Sequence, residues 1–212
     1  MTTPDPGLRE RKKLATREAL RAAALRLAVE RGPDQVRVED IAEAAGVSPR
    51  TYNNYFASRE QAIVSAVTAD REARIAAAVA ARSPKMRLAD AVTEAVVEQY
   101  TDTGDRQREA LLLITTRPAL RDAFLDTTAG MAPSLAAVIG ERLGDAGGQT
   151  ARVLAASVAV AVRIGLESWL RPGSLGAAGL VIPSGSLPDQ LRAVLDPLAP
   201  AFDAAERCSG RG

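Results

Sequence analysis

Between Val36 and Phe56 the chain reads VRVEDIAEAAGVSPRTYNNYF, and within it Gly46, Ser48 and Pro49 fall inside a single turn's length of sequence. No continuous helix or strand passes through such a string. Glycine takes up a turn conformation that costs a residue with a side chain more. Serine caps free helix amides, and proline at a first helical position gives up a hydrogen bond that was unavailable there. The segment therefore reads as a helix over Val38 to Ala45, a tight turn at Gly46, and a second helix from Pro49 to about Phe56. Ile41 and Ala42 lie on the inner face of the first helix, and Val47 plugs the corner between the two.

The flanks extend the helical reading. Leu20, Ala24, Leu27 and Ala28 recur at helical spacing within Leu8 to Arg31, and Gly32 with Pro33 closes that helix. Ser58-Arg59-Glu60-Gln61 is a capping-box pattern that opens a long fourth helix running to about Arg82. Further helices are expected at about Arg87 to Thr103, Arg106 to Thr116, Pro118 to Leu143, Gln149 to Arg171 and Leu187 to Arg207. The breaks fall at Ser83-Pro84, Gly104, Pro118, Gly144 to Gly148 and the Pro172 to Pro188 loop. No segment sustains an alternation of period two, although Leu180 to Ile182 reads as a short extended piece. The fold class is all-α: an N-terminal three-helix helix-turn-helix domain, joined by a long helix to a C-terminal helical bundle.

Composition narrows the function classes. Apolar residues make up 47% of the chain and charged residues 25%, as in a globular protein. The chain has no histidine, which removes Ser-His and Cys-His nucleophile pairs and the commonest metal ligand sets. Cys208 has no second cysteine to pair with. The charged first fifteen residues lack the apolar stretch of a signal peptide, and the most apolar run, Val153 to Val162, stops at Arg163. A cytoplasmic protein without a membrane partner, metal, cofactor or enzymatic activity is expected.

Net charge is +1, so the distribution of charge matters more than its sum. From Leu8 to Arg26 the chain carries Arg9, Arg11, Lys12, Lys13, Arg17, Arg21 and Arg26 against only Glu10 and Glu18. Such a stretch is either a phosphate-seeking surface or a solvated helix face. In the second short helix, Arg50, Thr51, Asn53, Asn54 and Tyr55 offer donors and acceptors along an outer face. Arginine can read guanine and asparagine adenine in the major groove, and threonine can touch a methyl group or a phosphate.

The ordered string is more specific than the pattern. Thr16-Arg17-Glu18, Glu30-Arg31-Gly32, Val38 through Ser48 (VEDIAEAAGVS) and Asn54 through Glu60 (NYFASRE) together resemble the TetR family of bacterial regulators, over about the first seventy residues. The resemblance implies a three-helix DNA-binding domain, a homodimer built mainly from the last two helices, and a small-molecule effector cavity inside the C-terminal bundle. Repression relieved by ligand is implied more often than activation. By position Ser48, Arg50, Thr51, Asn54 and Tyr55 match the family's recognition-helix contacts, and Thr16 and Arg17 match helix-one positions near the phosphates. Tyr55 is then either a phosphate ligand through its hydroxyl or a packed aromatic.

Three positions depart from the family pattern. Asn53 stands where an aromatic often contacts the backbone, leaving a base or a phosphate as its partner. Arg37 replaces a capping threonine at the start of the second helix; the lost cap costs about 1 kcal/mol, while the guanidinium gains a phosphate contact. Ala28 replaces a core phenylalanine, so a neighbour such as Tyr52 must fill the space.

The domain boundaries follow: a flexible arm at 1–7, the DNA-binding domain at 8–58, a connecting helix at 59–82, a ligand-binding and dimerisation domain at 83–207, and a flexible tail at 208–212. In the C-terminal body, Val153 to Leu170 is apolar on nearly every side until Arg163, as suits a helix between its own core and a partner subunit. Leu191, Val194, Leu195 and Leu198 would complete a four-helix seam. Arg163 and Glu167, one turn apart, form either a structural ion pair or an anchor for a charged ligand. Tyr100, Phe124, Met131 and Trp169 either line a ligand pocket or are plain core. The rival to a DNA-binding regulator is a small-molecule binding protein that has lost operator affinity.

Overall fold

The computed structural model describes residues 7–68, 71–101, 114, 117–145, 148–170 and 186–209, and among them it contains helices and no strand. The helices are α1 (Leu8–Arg31), α2 (Val38–Ala44), α3 (Pro49–Asn53), α4 (Arg59–Thr68), α5 (Arg71–Ala81), α6 (Leu88–Thr101), α7 (Pro118–Asp126), α8 (Met131–Leu143), α9 (Gln149–Leu170), α10 (Leu187–Leu195) and α11 (Ala199–Ser209). All but Ile114 of the expected helix at 106–116, the extended piece at 180–182 and most of the N-terminal arm and of the 172–188 loop lie outside the described residues. The described residues form two compact units, one from 7–68 with 114 and 117–124, the other from 71–101 with 125–145, 148–170 and 186–209.

In the first unit, α1 packs on α2 and α4. Its buried stripe is Leu20, Ala23, Ala24, Leu27 and Ala28, met by Ile41 and Ala42 of α2 and by Ala62, Ile63, Val64 and Val67 of α4. The turn after α2 closes where Gly46 N–H donates to Glu43 O at 3.0 Å and Val47 N–H to Ala42 O at 2.9 Å. Gly46 sits at φ +68°, in the left-handed region where a side chain costs roughly 1 to 2 kcal/mol. α3 ends at Asn53, shorter than the expected run to Phe56. Its last turn tightens, with Asn54 N–H bonding Thr51 O at 3.1 Å and Tyr55 N–H bonding Tyr52 O at 2.8 Å, so Asn54 and Tyr55 leave the helix in a turn.

A helix this short has no stability of its own. Tyr52 supplies it: the ring is fully buried, its centroid 5.8 Å from that of Phe56, and the hydroxyl donates to Ser58 O at 2.7 Å. Tyr52 is thus structural through Phe56 and Ser58. Half of the capping box expected at the start of α4 forms, with Ser58 Oγ accepting from Gln61 N–H at 3.1 Å, while Gln61 Oε1 accepts from Ala57 N–H at 2.7 Å, one residue before the cap. The long helix expected from Ser58 to Arg82 is described as α4 and α5, on either side of residues 69–70 and in different units.

In the second unit α8 and α10 flank α9, α5 packs on α6 and α8, and α6 packs on α10 and α11. Two helices expected to be continuous are broken. The run from Pro118 to Leu143 passes through a 3-10 turn at Thr127–Gly130, because Pro133 has no N–H for the carbonyl of Ala129 and Thr128 Oγ1 turns back to Leu125 O at 2.8 Å. The run from Leu187 to Arg207 breaks at Asp196–Leu198, where Pro197 and Pro200 each remove a helical donor. α9 is long and apolar enough to cross a membrane by length and composition, with mean hydropathy 1.6 over its best window, yet it packs on both neighbours. A Cβ on its Gly165 would stand 3.0 Å from Val194 Cγ2, so glycine is what lets α10 approach this closely.

Burial, and secondarily the charge of Glu60, push the Tyr52 phenol up to about 12. The folded chain then holds this proton more tightly than the unfolded chain, whose tyrosines titrate near 10. The resulting stability is complete below about pH 10 and is lost as pH rises toward 12. Melting temperatures measured from about pH 8 to 11 should fall steeply above 10. Tyr52→Phe should shallow that fall and cost about 1 kcal/mol at neutral pH through the unsatisfied Ser58 carbonyl.

Candidate nucleic-acid interface

Ser48 opens the recognition segment by accepting from Thr51 N–H at 3.1 Å, and its hydroxyl also shares a 2.9 Å hydrogen bond with that of Thr51. From there the helix turn sorts the side chains. Arg50 and Asn54 lie two residues either side of Tyr52, about 200° around the axis from it, and so on the face opposite the core. Arg50, Asn53 and Asn54 are exposed, and Thr51 and Tyr55 are half-buried. One short surface thus presents a guanidinium, two amides, two hydroxyls and a phenol.

The start of α2 and the first half of α1 add further side chains. Arg37 is exposed at the start of α2, where its backbone N–H donates to Asp40 Oδ2 at 3.0 Å. A guanidinium has no acceptor and cannot cap in return, so the helix start is held by Asp40, and the Arg37 side chain is not spent on it. Thr16 is half-buried and donates to Lys12 O at 2.9 Å within α1. Arg17 is exposed, its guanidinium carbon 5.7 Å from the centre of the Phe56 ring, within reach of a cation–π contact. That places Arg17 beside the residues that follow α3.

Behind the surface, Arg59 ties the start of α4 to the chain entering α2. Its Nη1 donates to Val36 O at 2.9 Å and to Asp34 O at 3.2 Å, and its Nε to Glu60 Oε1 at 2.6 Å. Burial pushes the Glu60 carboxyl up, but hydrogen bonds from Arg59, its own backbone and Ser58, with the Arg59 charge, outweigh this and hold it below its ordinary value. Asp34 is also paired with Arg117 at 2.9 Å. Neither tie was legible beforehand, because the partners are far apart in sequence and carry no periodic signal.

The six candidate ligand residues distribute unevenly. Phe124 is buried in the first unit; Tyr100, Met131, Arg163, Glu167 and Trp169 belong to the second. Tyr100 and Met131 are buried, and Trp169 is half-buried. Arg163 pairs at 2.8 Å with both Glu167 and Asp126, and remains about 40% exposed, so it stands on the surface of α9. The partner missed from the sequence is Arg71: its guanidinium is buried 4.4 Å from the centre of the Tyr100 ring. Burial pushes Arg71 below its ordinary value while Tyr100 pulls it back, and burial likewise raises Tyr100 against the pull of Arg71. None of the six lines the two apolar surface grooves beside α9, one of about 730 Å³ along Ala132, Pro133, Ala136 and Arg152, the other of about 700 Å³ along Val160, Ile164, Val194 and Leu198.

A buried-backed second helix following a glycine turn, on a three-helix base, defines a helix-turn-helix protein. The family model for bacterial regulatory proteins of the tetR family matches residues 20–66. The HTH-type transcriptional regulator TcmR of Streptomyces glaucescens is 33% identical over 153 residues, covering 68% of this chain and 67% of that protein. The regulator BetI of Rhizobium meliloti (strain 1021) is 37% identical over 76 residues, covering 34% of this chain and 37% of its own length. The crystal structure of Thermus thermophilus FadR with lauroyl-CoA is similar at 20% identity and a TM-score of 0.49, covering 87% of this chain and 93% of that one. The chain belongs to the TetR family of bacterial transcription regulators.

Ser48→Ala should cost about 1 kcal/mol in urea unfolding by removing the cap on Thr51 N–H, and Ser48→Thr should keep most of it.

Proposed function

We propose that the protein is a homodimeric repressor that binds a near-palindromic operator and leaves it on binding a small-molecule effector. The observation that carries the reading is the outward face of α3, where Arg50 and Asn54 are exposed opposite the buried Tyr52 and Asn53 is exposed on the flank. Arg50 and Asn54 would reach base edges in the major groove, with Asn53 on a base or a neighbouring phosphate. Ser48, Thr51, Tyr55, Thr16, Arg17 and Arg37 would bond the phosphates that flank it. Residues 8–58 serve as the DNA-binding domain, 59–82 as the connecting segment and 83–207 as the ligand-binding and dimerisation domain. Such a regulator works in the cytoplasm, where the DNA is, and its activity is recognition rather than catalysis.

The dimer reading rests on α9. One face is buried in its own unit, while Val153, Val160 and Ile164 on the other are 63%, 58% and 52% exposed. With Ala193, Val194, Pro197 and Leu198 they line one continuous apolar groove. Leu191 and Leu195, expected in the same seam, are instead buried within their own unit. A self-complementary apolar face of this kind is what a two-fold interface requires.

The effector reading follows from the family, whose members respond to small molecules through the C-terminal bundle. Arg163 with Asp126 and Glu167 is taken as structural, since the charge is matched on both sides at 2.8 Å. The buried Arg71 and Tyr100 pair is a polar group within that unit that an effector could engage.

Fluorescence anisotropy with duplex DNA from the flanks of its own gene, at several salt concentrations, should show specific binding with a steep salt dependence. Tyr55→Ala and Arg37→Ala should each weaken it roughly 3- to 30-fold without altering the fold. Equal weak binding to this and an unrelated duplex, insensitive to both substitutions, would contradict the reading. In sedimentation, the wild type should run as a dimer and Ile164→Glu as a folded monomer.

A further inference from the structure

α1 is longer than its core. Its first buried residue is Leu20, and from Leu8 to Ala19 every residue is exposed except the half-buried Thr16. Thr16 and Arg17 still touch the unit, so at 1.5 Å per residue the eight residues from Leu8 to Ala15 carry the helix about 12 Å past the protein that supports it. What lies on each side of that projection can be placed by the helical turn of about 100° per residue. Arg9, Lys13 and Thr16 fall within about 40° of Leu20, and Lys12 and Arg17 within about 80°. The face that buries Leu20, Ala23, Ala24 and Leu27 against the first unit thus continues beyond the unit's edge as a row of cations. Glu18 is turned about 160° away, and Glu10, on the flank, makes only an exposed 3.7 Å pair with Lys13.

We infer that Arg9, Lys12 and Lys13 form a second phosphate-binding surface, which grips the backbone of duplex DNA outside the stretch that α3 occupies. The inference rests on the reading of α3 as a DNA-binding helix and extends it to residues outside that site. Its position is fixed by Arg17, which lies against Phe56 just after Asn54 and Tyr55, so the cationic row begins where the proposed interface ends. A charge row of this geometry carries no base-reading groups other than long flexible cations, so its contribution is independent of sequence. A lipid surface fits worse. The exposed Leu8 and Leu14 lie six residues apart, about 120° from Leu20 on opposite flanks, and do not make the single apolar face that an interfacial helix needs.

The test compares the full-length wild type with the triple variant Arg9→Gln, Lys12→Gln, Lys13→Gln on a random-sequence duplex of about 40 base pairs and on the duplex flanking its own gene, from about 50 to 200 mM salt. The triple variant should bind both duplexes more weakly by a similar factor, on the order of 10- to 100-fold at the lowest salt, with a log–log salt slope shallower by roughly 2 to 3 for each protomer engaged. The ratio between the two duplexes should stay unchanged, as should the circular dichroism and the melting temperature. A folded triple variant that matches the wild type in affinity and slope overturns the inference and leaves the α3 reading standing. A wild type that binds neither duplex overturns both. Loss of binding to anionic phosphatidylglycerol vesicles with DNA affinity unchanged assigns the row to a membrane and overturns it as well.

Discussion

A five-residue helix has to be held at a fixed angle on the surface of a small domain, and one aromatic side chain does most of the holding. Tyr52 is fully buried, packs against Phe56 and bonds the carbonyl of Ser58, so it joins the middle of α3 to the entry of α4. Because α3 has only one full turn, fixing Tyr52 also fixes the direction of Arg50 and Asn54, which project from the opposite side. Ser48 and Gly46 start the helix in the right place; Tyr52 decides which way it faces. Preorganisation of this kind lowers the conformational cost of docking a polar surface onto DNA.

The same logic recurs in the ties behind the site. Arg59 reaches back to the carbonyls of Asp34 and Val36, so a cation at the start of α4 fixes the approach to α2. Asp40 holds the start of α2 through the Arg37 backbone and leaves the guanidinium of Arg37 outside. In the second unit the sorting is by face. α9 buries Leu154, Val158, Val162 and Leu166 in its own core and leaves Val153, Val160 and Ile164 uncovered. Leaving three large apolar side chains in water is unfavourable for a lone chain and becomes favourable once a second copy covers them.

Much of this was legible in the sequence, where the signal was local. The helical period placed the α1 stripe from Leu20 to Ala28, the serine and proline at 48 and 49 placed the start of α3, and Ser58 to Gln61 placed the start of α4. The family's motif carried the outer residues of α3. Less legible were the ends and interruptions. The helices around Thr127–Gly130 and Asp196–Leu198 read as continuous because the flanking apolar pattern persists through prolines that remove only one donor each. Illegible altogether were ties between distant residues: Arg59 with Val36, Arg117 with Asp34, and Arg71 over Tyr100. An arginine in a sequence reads as surface, and only the fold brings the aromatic ring or carbonyl that lets it be buried.

Hydroxyl-radical footprinting of the full-length protein on the DNA flanking its own gene tests the central claim most directly. Two copies of α3 in successive major grooves should protect two patches, related by a dyad and separated by about one helical turn, 10 to 10.5 base pairs. Uniform protection without a dyad, or none at concentrations where the protein is dimeric, would contradict the account of α3 as a recognition helix.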